Sequence, residues 1–314
     1  MLYIMYMYKR QKQVIILFTI ILLLLLLLLL EMNLPFIMGT SQLVVGLFYA
    51  FPLMFLGIRK FPSMKLKDII TLLPIILLNT CGHISALYAM MQKGGGSFTH
   101  VIKASEPVVS VILGLFINGI IPKPLTALSL LPITYGVAYA STLGDLSVEK
   151  MSKELLTLTA ILAMTSNISF ALRSVFRKKL TSEFKKSTGL EDPATEHCVT
   201  TALSSIILGL ATLYLEPVDE ILKQYNNIND KNQFIFNCIV CGMAFYLYNE
   251  IQNIVLDLIG AVPMAVGNTL KRVAIFAALY VFIPGETFPL AKIFGCAIAI
   301  AGCLLYAVFD AKKI

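Results

Sequence analysis

Residues 262–283 read VPMAVGNTLKRVAIFAALYVFI, an apolar run with two adjacent basic residues, Lys271 and Arg272, near its centre. A run of about 20 apolar residues is long enough to cross the roughly 30 Å hydrocarbon core of a bilayer as a helix. A basic residue at the centre of such a helix costs about 2.5–3.5 kcal/mol on insertion scales. The stretch therefore predicts a membrane-spanning helix with a polar function inside the membrane.

The composition of the whole chain indicates the same class. Of its 314 residues, 58% are apolar and 14% are charged, and the mean hydropathy is +0.82. A soluble domain carries about 25% charged residues, so this sequence could not cover a water-facing surface. We predict an all-α integral membrane protein. The net charge of +7 is attributed to Lys and Arg residues in the loops on one side of the membrane. The expected partner is therefore the lipid bilayer and not nucleic acid.

A span-length window predicts ten transmembrane helices, separated by Gly- and Pro-rich turns. We expect them at residues 13–30, 35–57, 68–91, 97–120, 124–142, 153–176, 196–216, 233–258, 262–283 and 288–309. The first contains an unbroken leucine run without a small-residue cleavage site, so we predict a retained helix. The alternatives are a signal-anchor, a targeting segment or a mistaken start of the gene.

The distribution of Lys and Arg predicts the orientation. With ten spans, both termini and the loops after even-numbered spans share one side, which holds 15 Lys and Arg against 6 on the other. Cytoplasmic loops are enriched in these residues, so we expect both termini on the cytosolic side. This count assigns Arg59 and Arg177 to cytosolic loops.

The two halves of the sequence resemble each other. Residues 95–125 align without gaps to residues 260–290, and both stretches begin with Gly, carry basic residues and end in Pro-Leu. Five spans is an odd number, so the second half would lie inverted. We predict one membrane domain of two inverted five-helix repeats, residues 1–142 (with 13–30 an atypical first helix) and 143–314, and a substrate site near the midplane between them.

Four basic residues fall inside predicted spans, at a combined cost of about 10–14 kcal/mol. They are Lys103, Arg173, Lys271 and Arg272. Two acids in the spans, Glu106 and Glu250, leave a net charge of +2. A phosphate monoester carries about −1.5 to −2 near pH 7, so we predict a small phosphorylated anion as substrate.

Several candidates also have a structural interpretation. Glu106 follows Lys103 by one turn and is assigned as its charge-balancing acid, although the two could be a purely structural pair. Arg173 could be a charge at the end of its helix. His100 shares a helix face with Lys103, yet a lone intramembrane histidine is more often a satisfied core residue. Packing alone could explain Tyr248, which lies in an aromatic run.

The sequence predicts no metal site and no cofactor. Cys238 and Cys241 form a CxxC motif, but it lies inside an apolar run and has no second pair, so packing is the favoured interpretation. An integral-membrane enzyme acting on phospholipid head groups would need an acidic metal cluster, or a nucleophile beside a base, at a membrane face. The sequence shows neither, so no enzyme is predicted.

Six segments together resemble one known family, over about residues 33–309. They are NLPFIMGTSQLVVG (33–46), SFTHVIKASEP (97–107), NISFALRSVFRKK (167–179), FYLYNE (245–250), AVGNTLKRV (265–273) and GCAIAIAGCLLYA (295–307). They are similar to the plastid triose-phosphate/phosphate translocators of the drug/metabolite transporter superfamily, which have ten helices in two inverted five-helix repeats.

The resemblance implies an antiporter that exchanges inorganic phosphate for three-carbon phosphates, such as triose phosphate, 3-phosphoglycerate and phosphoenolpyruvate, in the envelope of a plastid or apicoplast. It implies a phosphate clamp of Lys103, Lys271 and Arg272. His83 and Tyr248 would contact the rest of the substrate, and Phe170 and Arg173 would line the same cavity. Pentose phosphates, hexose phosphates and nucleotide sugars remain alternative substrates, and the oligomeric state stays open.

Overall fold

The computed structural model describes residues 34–92, 99, 102–103, 105–119, 121, 123–142, 152–259 and 290–311. The predicted first and ninth spans lie outside these residues, as do three candidate site residues, His100, Lys271 and Arg272. Within the described ranges every regular element is an α-helix, and the predicted all-α class is confirmed.

The described residues form eleven helices. They are α1 Pro35–Phe55, α2 Leu66–Met91, α3 Glu106–Asn118, α4 Pro124–Leu128, α5 Leu130–Thr142, α6 Lys153–Lys179, α7 Ser182–Thr188, α8 Pro193–Leu215, α9 Val218–Asn226, α10 Lys231–Ile259 and α11 Leu290–Ala311. By length and composition, α1, α2, α6, α8 and α10 could each cross a membrane. These five correspond to the predicted second, third, sixth, seventh and eighth spans.

The starts of α1 and α8 show how the sequence sets helix boundaries. Each has proline in its first turn, where the missing N–H costs nothing. The Asp192 carboxylate accepts hydrogen bonds from the backbone N–H groups of Ala194 and Thr195 and so caps α8. The cap of α1 comes from a distant residue: the Glu216 carboxylate accepts from Phe36 N and Ile37 N, both at 2.8 Å.

The structure corrects the predicted helices in two places. The predicted span 124–142 is two helices, α4 and α5, with a turn at Ser129, whose hydroxyl donates to Thr126 O at 2.7 Å. Serine competes for backbone hydrogen bonds in this way and interrupts helices. The short helices α7 and α9 lie in segments that we expected to be loops.

The chain divides into two compact units. The first unit is Met1–Thr80 with Phe176–Leu258, and the second unit is Cys81–Val175 with Ile259–Ile314. Each unit draws on both halves of the sequence, so neither corresponds to a predicted repeat ending at residue 142. The inverted repeat stays a prediction.

Small residues allow close helix packing within each unit. In the first unit, Thr40 Oγ1 of α1 lies 2.8 Å from Thr212 Oγ1 of α8. In the second unit, a methyl group at Gly302 of α11 would lie 2.8 Å from the Ile133 backbone nitrogen of α5. Glycine and threonine at these crossings let backbones approach, which is typical of membrane helices.

Candidate functional site

The second unit places two of the four predicted basic residues against one aromatic ring. Lys103 Nζ lies 5.1 Å from the centroid of the Phe170 ring, and Arg173 Cζ lies 5.2 Å from the same centroid. Both distances are within the roughly 6 Å range of cation–π attraction. Arg173 is buried, with 7% of its surface exposed, so it is not a solvated charge at a helix end.

A serine fixes the ammonium group of Lys103. Lys103 Nζ donates to Ser166 Oγ at 2.6 Å, and Ser166 Oγ donates to Gly82 O at 2.7 Å. Because Ser166 is fully buried and uses its single proton toward Gly82, its lone pairs face the lysine. Ser166, Phe170 and Arg173 occupy positions i, i+4 and i+7 of α6 and therefore share one helix face.

Gly82 also makes room for the Phe170 ring. A methyl group at this position of α2 would lie 3.0 Å from two ring carbons, closer than ordinary van der Waals contact. His83, the next residue of α2, is buried with 5% of its surface exposed. One turn of α2 thus supplies the carbonyl that anchors Ser166 and the space that the aromatic ring fills.

Asn167 binds residues on both sides of Lys103. Its Nδ2 donates to Ile102 O at 2.8 Å and to Ser105 Oγ at 3.2 Å, and its side chain is fully buried. The segment that carries Lys103 is therefore attached to α6 through both its side chain and its main chain. Glu106, the predicted charge-balancing acid, is the first residue of α3 in the same unit.

The other predicted residues are distributed differently. Tyr248 is buried in α10 and belongs to the first unit, whereas His83, Lys103, Phe170 and Arg173 belong to the second. The sequence analysis missed Ser166, Asn167 and Gly82. A detectable signal was the polar face of α6, where small polar residues precede Phe170 and Arg173 at helical spacing.

The predicted role of Glu250 as a balancing acid is wrong. Arg59 donates to both of its carboxylate oxygens, Nη1 to Oε2 at 2.8 Å and Nη2 to Oε1 at 2.6 Å. The hydrogen bonds with Glu250 raise the pKa of Arg59 above its usual value. Because Glu250 is paired with Arg59, it does not balance the basic cluster. The predicted net charge of the site therefore rises from +2 to +3.

Arg177 is not a loop residue as predicted. It lies in the last turns of α6 and is only 4% exposed. Its Nε donates to Glu196 Oε1 at 2.6 Å, its Nη1 to Asn253 Oδ1 at 2.7 Å and its Nη2 to Asp257 Oδ2 at 3.2 Å. Lys185 Nζ donates to the other oxygen of Glu196 at 3.1 Å. Each charge here has an opposite partner, which indicates a structural network rather than an anion site.

The five described helices that are long and apolar enough to cross a membrane are typical of a polytopic membrane protein. Residues 15–307 match the Triose-phosphate Transporter family, and the chain belongs to this family. The resemblance found in the motifs is thereby confirmed. By its description the family is one of transporters rather than enzymes.

The similar proteins include three named translocators. The xylulose 5-phosphate/phosphate translocator of Arabidopsis thaliana is 32% identical over 89% of this chain and 64% of its own length. The phosphoenolpyruvate/phosphate translocator 1 of Oryza sativa subsp. japonica is 31% identical over 89% and 65%. The triose phosphate/phosphate translocator of Brassica oleracea var. botrytis is 30% identical over 88% and 65%. All three names include the word chloroplastic, and the chain spans somewhat less than two thirds of the length of these relatives.

A solved structure shares the fold. It is a crystal structure of a protein that is 13% identical to this chain, and the match covers 96% of this chain and 98% of the other with a TM-score of 0.62. At this level of identity the likeness concerns the fold alone.

Proposed function

We propose that this chain is an antiporter that exchanges inorganic phosphate for phosphorylated three-carbon compounds across a plastid or apicoplast envelope membrane, with both termini on the cytosolic side. The observation that carries the proposal is the placement of Lys103 and Arg173 around Phe170 within the second unit. Basic side chains that are at least partly buried among apolar helices are rare and typically mark the site or pathway of a substrate or ion. The names of the relatives agree on phosphate as the shared part of the substrate.

In the proposed site, Lys271 and Arg272 join Lys103 to hold the phosphoryl group. A lysine contributes a movable point charge and an arginine contributes a planar, bidentate fork, so together they suit a tetrahedral dianion. His83, His100 and Tyr248 would contact the remainder of the substrate, and Phe170 and Arg173 would line the cavity. Glu106 would offset part of the positive charge.

An excess of positive charge also supports strict exchange. Removing basic side chains from water costs several kcal/mol per charge, and an anion bound among them lowers this cost. Binding of phosphate or a phosphate ester offsets most of the predicted net charge of +3 and lets the site close. The empty site would stay open, so transport in one direction would require a counter-substrate.

The preference for three-carbon compounds rests on the motif resemblance. Identities of 32%, 31% and 30% to relatives named for a pentose phosphate, phosphoenolpyruvate and triose phosphate do not separate these substrates. What the relatives' names have in common is a phosphate group on a small carbon skeleton. Pentose and hexose phosphates are therefore the competing substrates in the test.

The test is uptake of ³²P-phosphate by proteoliposomes containing the purified full chain. Vesicles are preloaded with phosphate, 3-phosphoglycerate, phosphoenolpyruvate, xylulose 5-phosphate, glucose 6-phosphate or sulfate. We expect uptake only with a phosphorylated counter-substrate inside, and fastest with three-carbon compounds. Rapid uptake into vesicles without a counter-substrate contradicts exchange, and equal stimulation by all esters contradicts the three-carbon preference.

Variants test the proposed clamp in the same assay. Lys271→Ala and Arg272→Ala should each abolish exchange, and Arg272→Lys should fail substantially because a point charge cannot replace the fork. Lys223→Gln removes one positive charge from a side chain that is 72% exposed and serves as the matched control. Near wild-type exchange by either alanine variant would show that the clamp is assigned to the wrong residues.

A further inference from the structure

An apolar crevice opens on the first unit beside the loop that connects α1 to α2. Its volume is about 180 Å³. Its walls come from the end of α1, the connecting loop, the start of α2 and the N-terminal half of α8. Among the lining side chains, all of which are apolar, are Phe51, Met54, Phe61, Met64, Val199 and Leu203. With no polar group to receive a hydrogen bond, the crevice fits a hydrocarbon chain rather than a hydrated solute.

Exposed aromatic side chains continue from the crevice onto the surface. Phe55 is 77% exposed and Phe61 is 59% exposed, and their ring centroids lie 5.8 Å apart. Large apolar side chains that the protein leaves exposed in a membrane are covered by lipid, because their exposure to water is unfavourable. Phe55 is the last residue of α1 and Phe61 lies in the loop that follows, so the two rings extend the apolar lining of the crevice onto the adjoining surface.

The loop that forms one wall is held in place. Arg59 is anchored by its two hydrogen bonds to Glu250, and Ser63 N donates to Thr188 O at 3.0 Å. Lys65 N donates to Asp68 Oδ2 at 2.8 Å, which fixes the transition from the loop into α2. A wall fixed at three points keeps the crevice open without an occupant, so little ordering entropy opposes binding.

The same loop and the first turn of α2 carry three exposed lysines, Lys60, Lys65 and Lys67. They alternate with Phe61 and Met64, which line the crevice. Asp68 is the acid in this segment, and one of its oxygens is bound to the backbone. Because the segment joins two spanning helices, its lysines lie at the depth of the lipid head groups, and each lysine near an anionic surface favours binding by about fivefold.

We propose that this crevice is a binding site for an anionic phospholipid, with an acyl chain in the crevice and the head group held by Lys60, Lys65 and Lys67. Free phosphate would match the lysines but would leave the apolar crevice unused, so the ligand is a lipid. The site lies within the first unit, whereas the Lys103 cluster lies in the second. The proposal therefore stands or falls independently of the transported substrate.

The chain contains no tryptophan, so a single introduced tryptophan reports on its surroundings. Phe61→Trp places the reporter in the crevice wall, and Phe51→Trp is a second reporter in case the first variant does not fold. The full chain is reconstituted in phosphatidylcholine containing matched fractions of brominated phosphatidylglycerol or brominated phosphatidylcholine. We expect quenching to give a binding constant at least about fivefold higher for the anionic lipid, the effect of a single lysine.

Control reporters and charge variants locate the effect. Leu210→Trp reports from the surface of α8 outside the crevice, where the side chain is 64% exposed, and both brominated lipids should quench it equally. In the Phe61→Trp chain, joint replacement of Lys60, Lys65 and Lys67 by glutamine should make the binding constants for the two lipids about equal. Removing the same amount of charge elsewhere should leave it intact, and the control variants are Lys153→Gln, Lys223→Gln and Lys231→Gln.

Ala202→Leu tests the crevice itself, because it adds volume to a lining position and should lower quenching of the Phe61→Trp reporter by both lipids. Equal quenching by the two lipids at both crevice reporters would overturn the head-group assignment. A preference that survives loss of the three loop lysines would do the same. Unchanged quenching after Ala202→Leu would overturn the acyl-chain assignment.

Discussion

Lys103 Nζ lies 2.6 Å from Ser166 Oγ, and the serine hydroxyl donates a hydrogen bond to Gly82 O at 2.7 Å. A flexible lysine side chain is thus attached through one hydroxyl to the backbone of α2. The ammonium position is set before any anion arrives, which reduces the entropy that binding must overcome.

Ser166→Ala should weaken phosphate binding while leaving the fold intact. Without the hydroxyl, Lys103 loses its fixed position, and a hydrogen bond to a charged group is worth enough to raise KM for phosphate about tenfold. The measurement is the concentration dependence of exchange in proteoliposomes. Ser174→Ala is the matched control, since the Ser174 hydroxyl donates only to Phe170 O in its own helix. An unchanged KM in Ser166→Ala would mean that the serine does not position the lysine.

Gly82→Ala should displace the Phe170 ring. The added methyl group would lie 3.0 Å from the ring, and a shift of the ring moves the surface that Lys103 and Arg173 share. We expect a several-fold loss of phosphate affinity with a modest drop in thermal stability.

The control for this variant is Gly114→Ala in α3. Among the described residues, no atom outside its own helix backbone and chain neighbours lies within 4 Å of a methyl group there, and alanine is favoured over glycine in a helix by up to about 1 kcal/mol. We expect equal or higher stability and normal exchange from the control. The close approach of Gly82 and Phe170 would be refuted if the two alanine variants behaved alike.

Breaking the Arg59–Glu250 pair should destabilise the protein strongly. Both side chains are largely buried, with 13% and 8% of the side-chain surface exposed, and removing one partner of such a pair costs about 3–5 kcal/mol. Glu250→Gln and Arg59→Gln should therefore each lower the unfolding temperature in detergent. The double variant Arg59→Met with Glu250→Met should recover most of the loss, because no unpaired charge remains.

An exposed ion pair provides the comparison. Glu220 and Lys223 lie 3.6 Å apart with 42% and 72% of their side chains exposed, and exposed pairs contribute about 0–1 kcal/mol. Glu220→Gln should leave the unfolding temperature nearly unchanged. If Glu250→Gln behaved in the same way, the buried pair would not be a stabilising contact.

Glu106→Gln should change the balance between binding and release. If Glu106 offsets the charge of the basic cluster, its neutralisation increases the positive potential, so phosphate should bind more tightly and leave more slowly. We expect a lower KM together with a lower maximal exchange rate. An unchanged affinity would indicate that the carboxylate faces away from the site.

The spanning helices could be predicted because their signal is local. The predicted second span, residues 35–57, corresponds to α1 at Pro35–Phe55, since apolar length and a first-turn proline both lie in the segment itself. Arg173 could likewise be recognised as unusual, because a charge inside an apolar run has a known cost.

The partners of the charges could not be predicted in the same way. Arg59 and Glu250 are separated by 191 residues, and no sequence pattern in either segment predicts that their side chains form an ion pair. Counting charges within the predicted spans therefore paired Glu250 with the basic cluster, although its partner is Arg59. Ser166 and Asn167 were missed because small polar residues are common in membrane helices and gain meaning only from the carbonyls and side chains they reach.

The cap on α1 has a consequence for the order in which the protein is made. Glu216, whose carboxylate accepts from the first backbone N–H groups of α1, lies 180 residues later in the chain. Until Glu216 has been synthesised, those donors lack their native partner, and a buried backbone group left without a hydrogen bond costs about 1–3 kcal/mol. Helix α1 can insert into the membrane early. Its native packing against α8 forms only after more than two thirds of the polypeptide has been synthesised.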